Sequence, residues 1–160
     1  MAANTSDQEL HMTRAYASTV IDAGVDTVWG LVRDFGAVGR WIPGCKGCDV
    51  LVDIDPTRPV RRLVLADEDV VEEVLLTRDD LLRRIQYGFP GQLPRGMRSF
   101  IGTAQVREVT DGDRTFIEWS SEFDTDQEWE SKMIANISGM LTQIIAAVAA
   151  EAQGKGRSNA

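Results

Sequence analysis

Apolar and polar residues change their spacing several times along the chain, and each spacing predicts a different element. From residue 13 to 22 they alternate, which predicts a β-strand. Residues 25–36 carry apolar side chains at intervals of three and four, which predicts an amphipathic helix. A second short helical turn is predicted over residues 37–43, where Pro43 stops it.

Six further strands are predicted between residues 48 and 123. The segments are "DVLVDI", "VRRLVLA", "VVEEVLLT", "LLRRIQYGF", "FIGTAQVREV" and "RTFIEWSSEF", and the turns between them are rich in Asp, Gly and Pro. Strands at such regular spacing, joined by short turns, indicate an antiparallel sheet.

A long helix is predicted after the last strand, because "TDQE" (125–128) has the pattern of a capping box. The apolar stripe that follows at helical spacing consists of Met133, Ile137, Met140, Leu141, Ile144 and Val148. A helix of roughly 27 residues is about 40 Å long, enough to lie across a whole sheet. The order of elements predicts one α+β domain over residues 13–152, with polar, disordered segments at 1–12 and 153–160.

Composition narrows the classes of function. A chain of 160 residues with 43% hydrophobic residues is the right size for one domain. With 17 basic and 25 acidic residues, the net charge of −8 disfavours nucleic acids and anionic membranes, which need clustered positive charge. The polar start differs from a signal peptide, and no apolar run approaches the roughly 20 residues that cross a bilayer, so we expect a cytoplasmic protein without membrane insertion.

The two cysteines, Cys45 and Cys48, have CxxC spacing. A closed zinc site needs four ligands, and the single histidine, His11, lies in the polar leader, so no metal site is expected. A redox pair of the thioredoxin type would open a helix, whereas a strand is predicted here, and two ordinary reduced thiols are the favoured interpretation.

The segment "VVEEVLL" (70–76) places two adjacent carboxylates in a predicted strand. Because strand side chains alternate faces, Glu72 and Glu73 lie on opposite sides, and one of them is buried whichever face is inside. Burying an unpaired carboxylate costs several kcal/mol or more, so either this strand is a solvated edge or the buried glutamate has a partner.

The order of elements and several stretches of sequence resemble the START-like SRPBCC superfamily. That group includes polyketide cyclase/dehydrase-like proteins, birch-pollen-type allergens, plant abscisic-acid receptors and onion lachrymatory-factor synthase. The resemblance covers residues 13–152 and is carried by "VDTVWGLVRDFGAVGRWIPG", "VRRLVLADEDVVEEVLL", "MRSFIGTAQV", "RTFIEWSSEFD" and the C-terminal helix. It implies a helix-grip fold, in which a curved seven-stranded antiparallel sheet wraps around the long helix and two short helices follow the first strand. A ligand cavity is expected between the sheet and the helix.

The resemblance implies a role for Glu73. In relatives with Glu-Arg-Leu in this strand the Glu points into the cavity, and "EVL" occupies that place here. In the lachrymatory-factor synthase an Arg in the preceding strand works with that Glu, and Arg61 matches its position. Hairpin geometry leaves two registers open. A three-residue loop at 67–69 makes Arg61 a diagonal neighbour of Glu73, whereas a two-residue turn places it opposite Val74.

Strand phase predicts which residues line the cavity. Gly102 and Ala104 are small residues in mid-strand, which leave room for something else. Leu93, in the long loop 90–97, is predicted to act as a lid. The predicted ligand-binding residues are Leu63, Leu75, Phe89, Leu93, Phe100, Gly102, Trp119, Ser121, Phe123, Met133, Ile137 and Leu141, and a packed core is the alternative for them.

The implied activity is that of a polyketide cyclase/dehydrase-like enzyme acting on a hydrophobic or aromatic small molecule without metal or organic cofactor. Glu73 would move a proton in a dehydration, cyclisation or isomerisation, Arg61 would orient it or bind an oxyanion, and Tyr87 would donate a hydrogen bond. The alternatives are a non-catalytic carrier or sensor, a co-chaperone-like binding module, and a purely structural ion pair. We expect a monomer or a homodimer.

Three departures limit what the resemblance implies. Pro43 stands where the abscisic-acid receptors hold a Lys, and the short "ADED" turn replaces their gate loop, so a hormone-receptor function is not expected. Phe100 stands where several relatives carry Tyr, which removes one hydroxyl group from the cavity.

Overall fold

Seven strands and two α-helices make up the part of the chain that the computed structural model describes, which comprises residues 12–53, 55–93 and 96–158. In chain order the elements are β1 (Thr13–Ile21), α1 (Val25–Val32), a 3₁₀ turn (Ala37–Arg40), β2 (Gly47–Leu51), β3 (Val60–Val64), β4 (Val70–Asp79), β5 (Arg84–Gly88), β6 (Ser99–Val109), β7 (Arg114–Asp124) and α2 (Gln127–Ser158). The α+β class and the helix-grip architecture predicted from the sequence are confirmed.

Several predicted boundaries shift. The helix predicted over 25–36 ends at Val32, and the strand predicted over 49–54 lies at Gly47–Leu51. The strand predicted from residue 81 begins only at Arg84, because Leu81 and Leu82 lie in the exposed turn before it. The helix α2 continues to Ser158, past the predicted domain end at 152. Residues 1–11, 159 and 160 lie outside the described part of the chain, so the disorder expected there stays a prediction.

The seven strands form one antiparallel sheet with the order β1-β7-β6-β5-β4-β3-β2. Only the step between β1 and β7 joins strands that are not consecutive, so the first strand closes the sheet beside the last. The curved sheet holds α2, which contacts β1, β7 and α1. Its contacts with the sheet are thus concentrated at the edge formed by β1 and β7.

The helix α2 is apolar enough to resemble a membrane span. Its segment Gln127–Lys155 contains a stretch with a mean hydropathy of 1.7, and by length and composition it could cross a bilayer. The expectation that no segment approaches this limit is therefore wrong. Because one face of α2 packs on the sheet and on α1, its apolar residues are explained by its place as the core helix.

The buried core consists of two clusters that meet near the start of α2. The larger cluster joins α1, the sheet and the C-terminal half of α2, and the smaller one is made of Ala15, Phe123 and Met133. Phe100 and Ile137 pack against both clusters but are only partly buried. The predicted stripe on α2 holds except at its margin, where Met140 is 40% exposed.

The hairpin between β3 and β4 has a register that differs from both predicted ones. Leu65 N donates to Asp69 O at 2.9 Å and Glu68 N donates to Leu65 O at 3.0 Å, so the loop consists of residues 66–68. Glu68 takes a left-handed conformation with φ of 70°, as three-residue hairpin loops require at their last position. The loop thus begins one residue earlier than predicted, and Arg61 pairs directly with Glu73.

The start of α2 differs from the predicted capping box. The helix begins at Gln127, and Trp129 N donates to Asp126 O at 2.9 Å. The hydroxyl of Thr125 is buried without a hydrogen-bond partner among the described residues. Thr125 therefore does not cap the helix with its side chain.

Candidate active site

Arg61 and Glu73 form an ion pair on the inner face of the sheet. They are cross-strand neighbours on β3 and β4, and Nε and NH2 of Arg61 both lie 2.6 Å from Oε2 of Glu73. The side chains are 4% and 13% exposed. The partner that the buried carboxylate requires is thus the arginine on the adjacent strand.

The guanidinium of Arg61 is enclosed by further contacts. Its NH1 donates to the backbone carbonyl of Phe35 at 3.0 Å. Its Cζ lies 4.3 Å from the ring centroid of Phe35 and 4.6 Å from that of Tyr87, within the range of cation–π interactions. Arg61 therefore stacks between two aromatic rings while its donors serve Glu73 and the chain.

Tyr87 extends this network across the sheet to β7. Trp119 Nε1 donates to the Tyr87 hydroxyl at 2.9 Å. Burial raises the pKa of Tyr87, the charge of Glu73 adds to the rise, and Arg61 offsets only part of it. The phenol therefore keeps its proton at neutral pH and has that proton available to donate.

Glu73 uses only one of its two carboxylate oxygens within the fold. Both contacts with Arg61 are made by Oε2, and no described residue donates a hydrogen bond to Oε1. Oε1 is also absent from the buried polar atoms of the described residues that lack a partner. This oxygen is therefore the accessible polar atom of the pair.

Glu72 has the opposite environment, as the alternation of strand faces predicts. It accepts two hydrogen bonds from Arg62, at 2.9 and 2.7 Å, and its side chain is 40% exposed. Two adjacent carboxylates thus each pair with one of two adjacent arginines, one pair inside and one in solvent.

The predicted lining residues fall into two groups by burial. Phe89, Leu93, Phe100 and Ile137 are half-buried, although strand phase or helical spacing places most of them inside. The Phe100 ring lies 4.9 Å from that of Phe89 and 6.1 Å from that of Tyr87, measured between centroids. The fully buried group consists of Leu63, Leu75, Gly102, Trp119, Ser121, Phe123, Met133 and Leu141. The first group thus keeps some exposure, and the second is buried.

The space beside Gly102 is filled rather than open. A Cβ atom at this position would lie 2.2 Å from Cζ of Tyr87. The small residue therefore makes room for the Tyr87 ring, and the expectation that it leaves space for a ligand is wrong. Ala104 is likewise completely buried.

Arg98 ties the start of β6 to the turn before α2. It donates to the Asp124 carboxylate at 2.8 and 2.7 Å, to Asp126 at 2.6 Å and to the carbonyl of Thr125 at 2.8 Å. These bonds hold the chain on one side of loop 90–97. Leu93 in that loop is half-buried, and residues 94 and 95 lie outside the described part.

The cysteines lie close to this site without forming a metal centre. Burial raises the pKa of the Cys48 thiol, and the charge of Arg61 offsets only part of that rise. Cys45 and Cys48 are both unpaired. In the described ranges, no group of three or more His, Cys, Asp or Glu side chains could hold a metal ion.

Phe35 is the site residue that sequence reasoning missed. It supplies a carbonyl and a ring to Arg61 from the segment after α1, 26 residues away in the chain. A backbone carbonyl carries no sequence signal. Its aromatic side chain at the end of a predicted helix was the only available hint.

Comparisons with known proteins agree with this architecture. Residues 12–153 match a family model described as polyketide cyclase / dehydrase and lipid transport. XoxI from Bacillus cereus has a TM-score of 0.76 at 22% identity, over 88% of this chain and 96% of its own. The Zhui aromatase/cyclase from a Streptomyces species has a TM-score of 0.74 at 19% identity, over 89% of this chain and 94% of its own.

A third similar structure is a point mutant of norcoclaurine synthase from Thalictrum flavum, in complex with a transition state analogue. Its TM-score is 0.72 at 15% identity, over 91% of this chain and 97% of its own. At these identities the likeness to solved structures shows a shared fold and nothing finer. No protein with a curated description matches the sequence.

Proposed function

Because the chain belongs to the polyketide cyclase / dehydrase and lipid transport family, we propose that it binds a hydrophobic or aromatic small molecule between the sheet and α2. The observation that carries the proposal is Glu73, whose Oε2 is held by buried Arg61 while Oε1 has no donor among the described residues. The half-buried rings of Phe89 and Phe100 lie nearby on the sheet and supply apolar contact.

The finer proposal is a dehydration, cyclisation or isomerisation catalysed without a cofactor. Glu73 would take a proton from the substrate through Oε1 and return it to another atom, which leaves the protein unchanged after each cycle. The phenol of Tyr87 would donate a hydrogen bond to a substrate oxygen where negative charge develops. A largely apolar interior strengthens both interactions, because little water competes for them.

Arg61 is a positioning residue in this mechanism. Its side chain is 4% exposed, its guanidinium contacts Glu73 and the Phe35 carbonyl, and it stacks on the rings of Phe35 and Tyr87. The sequence left two roles open for Arg61. Its contacts support orienting the carboxylate of Glu73 better than binding an oxyanion. Because Arg61 holds Oε2, the other carboxylate oxygen of Glu73, Oε1, keeps a fixed orientation.

A carrier without catalysis is the second candidate, because the family description includes lipid transport. Glu73 would then anchor a polar group of the cargo through the same oxygen. Native mass spectrometry of the protein as purified would identify any molecule that co-purifies, and the mass of that molecule gives the chemical class to be tested.

The test compares Glu73→Gln with its neighbour Glu72→Gln. Glutamine keeps the shape of the side chain but cannot accept and return a proton, so on the catalytic proposal Glu73→Gln lowers turnover by roughly 10²–10⁴. Glu72 lies in solvent, and its replacement should change the free energy of unfolding by no more than about 0.5 kcal/mol. Turnover, ligand affinity and thermal midpoint are measured for both variants.

The three readouts separate the candidates. A loss of turnover with the fold intact supports catalysis, and a loss of affinity alone supports the carrier. A lower thermal midpoint with unchanged turnover and affinity would reduce the pair to a structural role. If the two variants behave alike in all three measurements, the site is placed wrongly.

A further inference from the structure

A pocket of about 440 Å³ lies beside the first turns of α2, on the side of the molecule where loop 90–97 meets the helix. It is lined by Gly96, Asp126, Trp129, Lys132, Met133 and Asn136. Its size is within the range of small-molecule sites. Most of its lining comes from one helix face, so its shape depends mainly on α2.

Met133 connects this pocket to the interior. Its side chain is 7% exposed and belongs to the smaller core cluster, against which Phe100 and Ile137 pack. The half-buried Phe100 and Ile137 therefore lie behind the wall of the pocket. Because Met is the most adaptable apolar side chain, this wall can change shape around a ligand.

Lys132 is the cation of this pocket. It makes no ion pair or hydrogen bond with any described residue, and its Nζ lies 5.8 Å from the ring centroid of Trp129. Asn136 lies one helical turn further on the same face and adds a side-chain amide that can donate.

The carboxylates around the pocket are engaged by other groups. Asp126, which lines it, accepts a hydrogen bond from Arg98 at 2.6 Å. Glu130, in the first turn of α2, accepts a hydrogen bond from Thr13 on β1. Glu128 lies in the first turn of α2 and does not line the pocket. Arg98 is shared with Asp124, so the Asp126 carboxylate still contributes negative charge at one edge of the pocket. Lys132 is the cation among the described lining residues, and it is the group that can attract an anion there.

We propose that this pocket receives the anionic end of an amphipathic ligand, with Lys132 pairing to a carboxylate-like group and Asn136 donating to it. The apolar body of the same molecule lies past Met133, against Phe100 and Ile137. This inference rests on the proposed function and narrows its ligand class to hydrophobic or aromatic acids rather than neutral compounds. Lys132 is then a specificity-determining residue.

Two fluorescent probes with the same ring system provide the test. Anilinonaphthalenesulfonate carries a sulfonate, and phenylnaphthylamine lacks it. Lys132→Gln should weaken the binding of the sulfonate probe by roughly three- to tenfold, between the value of an exposed pair and that of a charged hydrogen bond. It should leave the affinity for the neutral probe unchanged. Lys132→Arg, which keeps the charge, should restore most of the difference.

Lys155→Gln is the matched control, because it makes the same change at the far end of α2. Added salt should weaken the sulfonate probe more in the wild type than in Lys132→Gln. If the wild type binds both probes and Lys132→Gln affects them equally or not at all, this inference is wrong, while the proposed ligand site between the sheet and α2 stands. If the wild type binds neither probe, the proposed function itself fails.

Discussion

At Arg61 all three guanidinium nitrogens make polar contacts inside the fold: Nε donates to Glu73, NH2 forms an ion pair with Glu73, and NH1 donates to the Phe35 carbonyl. Removing one partner of a buried pair is costly, because it leaves the other charge without compensation in a medium of low polarity. The planar guanidinium also fills the space between the Phe35 and Tyr87 rings. Charge, shape and hydrogen bonding at this position therefore all favour arginine over any other cation.

The prediction at this scale is that Arg61→Lys is not a conservative change. An ammonium cannot reach both Glu73 and the Phe35 carbonyl in the same geometry, and it does not stack between two rings, so we expect a loss of roughly 1–3 kcal/mol in the free energy of unfolding. The measurement is urea denaturation. Arg62→Lys, at the exposed pair next to it, should change that free energy by no more than about 0.5 kcal/mol. Equal losses in both variants would contradict the buried geometry.

Among the elements, α2 is fastened to the segment after α1 by a single carboxylate. Glu151 accepts hydrogen bonds from Trp41 Nε1 at 2.7 Å and from Arg40 at 2.8 Å. Burial alone would raise the pKa of Glu151, but these two hydrogen bonds and the positive charges of Arg40 and Lys155 outweigh it, so the pKa is lowered. The carboxylate form is thus the one that the folded state favours.

The stabilising effect of Glu151 should therefore depend on pH. A group whose pKa is lowered by folding stabilises the fold above its unfolded pKa, and that contribution is lost as the pH falls through the folded pKa. We expect Glu151→Gln to lower the free energy of unfolding by roughly 1 kcal/mol at neutral pH. The gap to the wild type should close as the pH falls below about 4.

The measurement is denaturant unfolding of both proteins at several pH values. Glu108→Gln is the control, because Glu108 is exposed on β6 and makes no ion pair with a described residue. Its difference from the wild type should be small throughout. A Glu151→Gln gap that stays constant with pH would show that the carboxylate does not act through its charge.

Elements could be predicted from the sequence where they depend on near neighbours. The alternation in β1 and β7 and the apolar stripe of α2 were sufficient, because each follows from the period of one element. The register of β3 on β4 was not predictable, since it depends on Glu68 in a left-handed conformation that glutamate seldom adopts. No residue in "ADED" signals which position takes that conformation.

The candidate site, too, could be predicted only in part: the ion pair could be predicted, and the contacts around it could not. Strand phase showed only that either Glu72 or Glu73 is buried, and the resemblance to a family pointed to Glu73 and supplied Arg61 as its partner. The contacts that surround them join residues distant in the chain: 26 residues separate Arg61 from Phe35, and 32 separate Tyr87 from Trp119. Such contacts follow from the packing of the whole sheet, which the local pattern does not encode.

At the scale of the whole molecule, α2 takes part in both core clusters. Phe100 and Ile137 pack against the two clusters at once, and α2 contacts α1 as well as the sheet. The two clusters therefore share side chains and one helix, and no boundary separates them. A domain of this size with shared packing is expected to unfold in one step.

We predict a single cooperative transition in urea. Trp29, Trp41 and Trp119 are buried in the larger cluster, whereas Trp129 is 48% exposed, so a Trp129→Phe variant leaves fluorescence that reports on the core alone. Its fluorescence midpoint should coincide with the midpoint from far-ultraviolet circular dichroism. A fluorescence transition well before the loss of helix would show that sheet and α2 separate first.

The three-residue loop at 66–68 has a consequence for how this protein can evolve. Losing or gaining one codon there would slide β3 along β4 by one position, and in a strand such a shift moves side chains to the opposite face. Arg61 and Glu73 would then no longer be cross-strand neighbours, although neither codon had changed. Among descendants of a common ancestor, an arginine and a glutamate in matching columns therefore indicate the same ion pair only where this loop has kept its length.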